Sequence, residues 1–168
     1  MVATNKLEEI TRKCRIITSF SDLSESILGY YYCDGRYDII LINNSIQSDE
    51  RLYRCVLAEE IGHYRTTIGD ITPRKYMCYR DRLELDKKEQ LALHWATDFL
   101  IPTKMLLSEL KKNNSPSLKN ISDQFFVTED FMMRKLEFMS NQNCEWDIDG
   151  KRILYLYNFP SVHIFEKI

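Results

Sequence analysis

The stretch that decides the fold is Val56-Leu57-Ala58-Glu59-Glu60-Ile61-Gly62-His63-Tyr64. In a helix, side chains four residues apart lie on one face, so Glu59 and His63 can bind one ion together. Carboxylate oxygen and imidazole nitrogen are both common ligands of Zn²⁺. Glu60 lies about 100° further round the helix, where a His-Glu-x-x-His helix carries its general base. The stretch therefore predicts a helix with a metal-ligand pair and a candidate base.

Glu59 occupies the position that a histidine fills in the usual motif. The chain has three histidines, His63, His94 and His163, and no two of them are four residues apart. A carboxylate in place of an imidazole adds negative charge and favours metals that prefer oxygen ligands. We therefore expect a carboxylate-rich site with His63 as its indispensable imidazole, zinc as the first candidate and another divalent metal as the alternative.

The composition is that of a globular chain of about one domain. It has 168 residues, of which 44% are hydrophobic, and a net charge of −2, which makes nucleic acid an unexpected partner. No apolar run is long enough for a membrane span, and the N-terminus lacks the features of a secretory signal. The five cysteines form no C-x-x-C pair. We therefore expect a cytoplasmic protein with no membrane partner.

Local patterns predict a sheet followed by helices. Two β-rich runs, Tyr30–Cys33 and Tyr37–Ile42, flank Asp34-Gly35 and predict a hairpin. Apolar spacing and capping residues predict helices at about residues 49–64 and 86–99. These elements predict an α+β fold in which a mixed sheet of three to four strands packs beside an active-site helix and a second helix.

The C-terminal third is predicted to be mostly helical. Asn113–Ser117 has the composition of a linker. Residues 118–139 predict two short helices, and short strands are predicted near the C-terminus. We therefore expect a first domain at 1–112 and an extension at 113–168 that packs on the same core.

A second helical pattern completes a family resemblance. It reads Glu89-x-x-Ala92-x-x-Trp95-Ala96-x-x-Phe99-Leu100-Ile101-Pro102. Together with the hairpin and the 57–64 segment, it resembles the ImmA/IrrE family of metallo-endopeptidases, which are gluzincin-like proteins common on phages and mobile elements. The resemblance covers about residues 28–102, and more loosely the whole chain. It implies a zincin-like fold, with Ile121–Leu136 as a helix–turn–helix-like piece.

The resemblance also implies roles for the residues of the first helix. Glu60 matches the catalytic base, His63 matches the second zinc ligand and Glu59 occupies the first ligand position. The family's acidic third ligand falls at Leu91, which cannot coordinate a metal. Glu89, two residues earlier, and His94, three residues later on the same helical face as Leu91, are the two open alternatives.

The implied function is cleavage of a helix–turn–helix repressor of a phage or mobile element. Zincin-like peptidases hold substrate by strand addition, so we expect Tyr37–Ile42 to be an edge strand that binds substrate through Tyr37, Ile39 and Leu41. One alternative is a degenerate member that binds a repressor or antitoxin without cutting it.

A DNA-binding regulator is the second alternative, and the sequence argues against it. Arg134 and Lys135 lie in the helix–turn–helix-like piece, but Glu129, Asp130 and Glu137 surround them. Because acidic side chains repel phosphate, we expect packing and docking of a protein partner rather than DNA contact in this piece.

Overall fold

The computed structural model describes residues 1–66, 79–112 and 117–167. Within these ranges it contains six α-helices and six strands, in agreement with the predicted α+β class. In chain order they are α1 (Thr4–Lys13), β1 (Ile17–Ser21), β2 (Gly29–Cys33), β3 (Asp38–Asn43), α2 (Glu50–Thr66), α3 (Tyr79–Leu100), α4 (Thr103–Lys112), α5 (Leu118–Phe125), α6 (Glu129–Gln142), β4 (Glu145–Asp147), β5 (Arg152–Tyr155) and β6 (His163–Glu166).

The chain divides into two compact units, Val2–Ala96 and Thr97–Ile168, the second also including Met1. The boundary predicted between residues 112 and 113 stays a prediction. Residues 113–116 of the predicted linker lie outside the described ranges. None of the described helices is long and apolar enough to cross a membrane.

The first unit contains the predicted hairpin. The Asp34 carboxylate accepts the N–H groups of Arg36 and Tyr37, both at 2.8 Å, and closes the turn. Gly35 has a φ of +84°, which a residue with a side chain rarely adopts. Strands β2 and β3 are antiparallel, with Tyr31 opposite Ile40. The Asp-Gly turn thus fixes the register of the hairpin.

The strand order corrects one expectation. Strand β1 pairs with β3 in parallel, so the order is β1-β3-β2 and β3 is the central strand. The prediction that Tyr37–Ile42 forms an edge strand is therefore wrong, because main-chain groups on both sides of β3 are already paired. Within this sheet the edge strands are β1 and β2.

Helices α1 and α2 cover one face of this sheet. Ile40 and Ile42 on β3 and Leu57 and Ile61 on α2 are fully buried, as is Leu7 on α1. Burying a large aliphatic side chain contributes about 1.5–3 kcal/mol. This apolar layer holds the polar end of α2 against strand β2.

The second unit packs α4, α5 and α6 with an antiparallel sheet of order β4-β5-β6. Ser117 and Thr128 accept main-chain N–H groups at the starts of α5 and α6. The helix–turn–helix-like interpretation of these two helices stays a prediction.

The basic residues of α6 are engaged within the second unit. Lys135 is 1% exposed and donates to Asp98 and to the Thr103 hydroxyl. Arg134 forms an ion pair with Glu137 at 2.8 Å. A buried lysine cannot contact a phosphate backbone, which weakens the DNA-binding alternative.

Candidate active site

Helix α2 carries all three residues of the predicted motif in its second half. At its start, the Asp49 carboxylate accepts the Leu52 N–H at 2.9 Å. Glu60 and His63 are buried, with exposures of 7% and 4%, and Glu59 is half-buried. A carboxyl and an imidazole this deeply buried need partners, because burying an ionisable group without one is costly.

Gly62 sets how closely α3 approaches this end of α2. A Cβ atom at Gly62 would lie 2.3 Å from the Ala92 carbonyl oxygen, so any side chain would force the helices apart. Glu89 lies three residues before Ala92, on the same face of α3. The close approach of the two helices therefore brings Glu89 next to His63, the residue that follows Gly62.

His63 is the residue that Glu89 reaches. The His63 Nε2 and Glu89 Oε2 atoms are 3.2 Å apart. Burial by itself lowers the pKa of His63, but the hydrogen bond to Glu89 and the charges of Glu60, Glu89 and Glu59 together raise it above its ordinary value. The His63 Nδ1 atom is buried and has no hydrogen-bond partner among the described residues. An unsatisfied buried nitrogen of this kind is rare in a packed core and is consistent with a functional role.

Glu60 lies against strand β2. Its carboxylate accepts the Tyr31 main-chain N–H. Burial raises the pKa of Glu60 to about 8, assisted by the negative charges of Glu59 and Glu89 and opposed by His63. A carboxyl group whose pKa lies near neutral pH can both accept and return a proton during a reaction.

The raised pKa values predict that the metal-free chain becomes less stable as the pH rises. Unfolded Glu60 ionises near its ordinary value of 4.5, whereas folded Glu60 keeps its proton up to a pKa of about 8. The free energy of unfolding should therefore fall between these pH values, by an amount on the order of 2–4 kcal/mol. His63 acts in the same direction, because its raised pKa gives stability at low pH that is lost as the pH passes the folded value.

Urea unfolding in the presence of a chelator checks this expectation, at about pH 5.5 and about pH 8.5. Glu60→Gln should remove most of the fall in stability. Glu25→Gln, which changes an exposed carboxyl in the loop before β2, should leave the fall unchanged. A wild-type chain that is equally stable at both pH values would contradict the assignment.

The two alternatives for the third ligand have different placements. Glu89 contacts His63, whereas His94 is half-buried and lies five residues further along α3. Five residues correspond to a rotation of about 140° round a helix, so His94 projects from a different face than Glu89 does. Leu91 is 54% exposed. The geometry thus favours Glu89 as the acidic partner of His63.

The donor atoms fit a metal in part. Two ligands of a tetrahedral zinc site, with bonds of about 2.0–2.1 Å, lie about 3.3 Å apart, close to the 3.2 Å between His63 Nε2 and Glu89 Oε2. Glu59 is near enough for its charge to act on the pKa of His63. Across the described parts of the chain, no three His, Cys, Asp or Glu side chains already form a group that could hold a metal. Among the described residues, the site thus brings two possible donors, His63 and Glu89, to this separation.

Main-chain pairing shows which groups of β2 face away from the sheet. The Leu28 carbonyl accepts the Asn43 N–H at 2.8 Å, and the Asp34 N–H donates to the Tyr37 carbonyl at 3.3 Å. The even-numbered residues of this stretch therefore direct their main-chain groups toward β3. Alternate residues of a strand direct these groups to opposite sides.

The odd-numbered residues Gly29, Tyr31 and Cys33 consequently present their N–H and C=O groups at the outer edge of β2. The bond from the Tyr31 N–H to Glu60 agrees with this assignment. The outer edge of β2 thus runs directly past the candidate base. Among the described residues no strand pairs with this edge, whereas β3, which carries Ile39 and Leu41 and follows Tyr37 directly, is paired on both sides.

Two residues that the sequence analysis did not single out belong to this arrangement, Gly29 and Tyr31. The Tyr31 hydroxyl donates to the Asp38 carboxylate at 2.7 Å, and its ring meets the edge of the Tyr64 ring at 6.3 Å. A glycine inside a β-rich run indicates a bulge or a close approach by another group. That signal was present in Gly29-Tyr30-Tyr31-Tyr32-Cys33.

Comparison with known proteins supports the resemblance inferred from the motifs. The family model described as the IrrE N-terminal-like domain, Peptidase_M78, matches residues 13–137. No curated protein and no solved structure matches the chain. The matched range includes every residue of the candidate site.

Proposed function

The chain belongs to the IrrE N-terminal-like domain family of peptidases, and on this premise we propose that it is a metal-dependent endopeptidase. The observation that carries the proposal is the contact between His63 Nε2 and Glu89 Oε2 beside the buried carboxyl of Glu60. The Glu60 carboxyl and the His63 imidazole of α2 and the Glu89 carboxylate of α3 converge there, at the outer edge of β2.

The proposed metal ligands are His63, Glu89 and Glu59. His63 and Glu89 already lie at the separation of two ligands, and Glu59 occupies the helical position one turn before His63. These residues would hold a divalent metal, which would supply Lewis acidity toward the scissile carbonyl group and a water molecule. Zinc is the first candidate, and the carboxylate-rich donor set also suits Mn²⁺ or Fe²⁺.

Glu60 is the proposed general base and general acid. It takes the proton from the attacking water and later delivers it to the leaving amine. Its pKa of about 8 in the metal-free chain is lowered by a nearby positive charge, which favours the ionised form that accepts a proton. The Tyr31 N–H holds one oxygen of Glu60 and leaves the other for the water.

The proposed substrate is an extended segment of a helix–turn–helix repressor that pairs with the main-chain groups at the outer edge of β2 other than the Tyr31 N–H, which Glu60 accepts. Main-chain pairing supplies affinity without requiring a particular side chain. Strand β2 has no charged residue and no proline that would discourage pairing. The repressor as partner comes from the family resemblance, and the edge of β2 replaces β3 as the binding strand.

A catalytically degenerate member that binds a partner without cleaving it is the second candidate. The exposed Leu91 at the family's acidic position and Glu59 in place of a histidine favour it. Both candidates use the edge of β2, so they differ only in whether the bound segment is cut.

Metal-dependent cleavage separates the two candidates. The purified chain is incubated with the helix–turn–helix protein encoded nearest to its gene, and fragments are identified by mass spectrometry. We expect cleavage that stops with a chelator and returns with Zn²⁺ or Mn²⁺. Binding of the partner without fragments, with metal supplied, would establish the degenerate alternative.

A further inference from the structure

Gly29 is a glycine whose backbone does not require one. It lies in strand β2, and among the described glycines only Gly35 and Gly150 have a positive φ. A glycine inside a strand costs about 0.5–1 kcal/mol relative to alanine. A Cβ atom at Gly35 would have no neighbour within 4 Å, so Gly35 is explained by the positive φ of its turn. The presence of glycine at position 29 needs a different explanation.

The reason is visible in the space that a side chain would occupy. A Cβ atom at Gly29 would lie 2.5 Å from Glu60 Oε1 and 2.9 Å from Glu60 Cγ. It would also lie 2.6 Å from Val56 Cγ1. Real Cβ atoms do not approach other heavy atoms this closely, so a residue with a side chain would displace Glu60, Val56 or both.

We propose that Gly29 is a positioning residue, whose missing side chain lets the Glu60 carboxylate lie against β2 and accept the Tyr31 N–H. The catalytic consequence rests on the proposed function, but the positioning itself does not. Glu60 is on a rigid helix and Tyr31 is in a paired strand, so the gap at Gly29 determines how near the two elements bring donor and acceptor.

The Tyr31 amide reports the contact directly, without metal or substrate. In Gly29→Ala, we expect its proton resonance to move upfield and its hydrogen exchange to become about tenfold faster, since a hydrogen bond to a buried carboxyl is lost. Glu60→Ala provides the reference for complete loss. The two variants should show the same change at Tyr31, and an unchanged Tyr31 amide in Gly29→Ala would overturn the proposal.

Two double variants identify which clash matters, and they remain informative if Gly29→Ala alone fails to fold. Glu60→Ala removes the Glu60 atoms at 2.5 and 2.9 Å but leaves Val56 Cγ1 at 2.6 Å, so Gly29→Ala/Glu60→Ala should recover part of the urea midpoint of Glu60→Ala. Val56→Ala removes the other close atom but leaves both Glu60 atoms, so Gly29→Ala/Val56→Ala should fall further below the urea midpoint of Val56→Ala than the Glu60 pair falls below that of Glu60→Ala. Recovery in the Val56 pair but not in the Glu60 pair would show that Gly29 serves core packing instead.

The cleavage assay adds the catalytic consequence. With a positioned substrate, Gly29→Ala should lower kcat and leave KM nearly unchanged, because the base is displaced while the outer edge of β2 stays available. If Glu60→Gln has no effect on cleavage, the proposed function fails while the Tyr31 result still decides the positioning. If Glu60→Gln abolishes cleavage and Gly29→Ala retains the wild-type kcat, the positioning fails alone.

Discussion

Glu60→Gln is expected to reduce the rate of peptide-bond cleavage by about 10²–10⁴-fold, the range that a positioned acid–base group contributes. The amide oxygen of Gln can still accept the Tyr31 N–H, so the fold and the position of the side chain are kept. What is lost is the ability to take a proton from water and return it to the leaving amine. The measurement is kcat/KM for the cleaved substrate, with metal content determined on the same samples.

The matched control is Glu25→Gln, which makes the same chemical change at an exposed position outside the site. It should retain wild-type cleavage. Glu60→Gln should also retain metal, because the proposed ligands are Glu59, His63 and Glu89. Undiminished turnover by Glu60→Gln with metal bound would exclude Glu60 as the base.

Replacing Glu89 is expected to weaken metal binding at least about 100-fold, more than the loss of an outer-shell partner causes. Glu89 is the carboxylate that lies 3.2 Å from His63 Nε2, so its removal leaves His63 with Glu59 alone. Affinity is measured by competition with a chromophoric chelator for Glu89→Ala and wild type. The loss should appear with Zn²⁺ and with Mn²⁺, because both need the carboxylate.

His94→Ala is the control on the same helix. His94 projects about 140° away from Glu89 round α3, so its removal should leave the metal affinity nearly unchanged. The opposite result, with affinity lost in His94→Ala and kept in Glu89→Ala, would show that His94 is the third ligand and that α3 turns to present it.

The sequence predicted the elements whose signals are local. The Asp34-Gly35 turn and its two β-rich flanks predicted the hairpin, and the spacing of Glu59 and His63 predicted the helix that carries them. The hairpin depends on a residue that tolerates positive φ, and the helix on a periodic apolar face, so neighbours in sequence are enough to identify both. The family assignment followed from the order of these local motifs.

The central position of β3 depends on a distant partner. Strand β1 pairs in parallel with β3. No tight turn connects these two strands, so no local sequence signal predicts their pairing. The continuous apolar run Ile39–Ile42 was a usable signal, because buried central strands lack alternation between polar and apolar residues. The sequence predicted a sheet of three to four strands but did not show which strand lies beside Tyr37–Ile42, and that segment was expected at the edge.

The identity of the carboxylate that reaches His63 depends on a contact between α2 and α3. The family resemblance placed the acidic ligand at Leu91, but the residue that faces His63 is set by the approach of Gly62 to Ala92. The sequence alone does not show that Glu89, two residues before Leu91, is the residue that reaches His63. The same applies to Gly29, whose role appears only when Glu60 is placed against β2.

Metal content is the most direct test of the central claim that His63 and its carboxylate neighbours hold a metal. The chain is purified without chelator, equilibrated with Zn²⁺ or Mn²⁺ and freed of unbound ions, and its metal is determined by mass spectrometry. The account predicts about one equivalent in wild type and almost none in a folded His63→Ala variant. A wild-type chain that retains no metal, or a His63→Ala variant that retains as much as wild type, would contradict it.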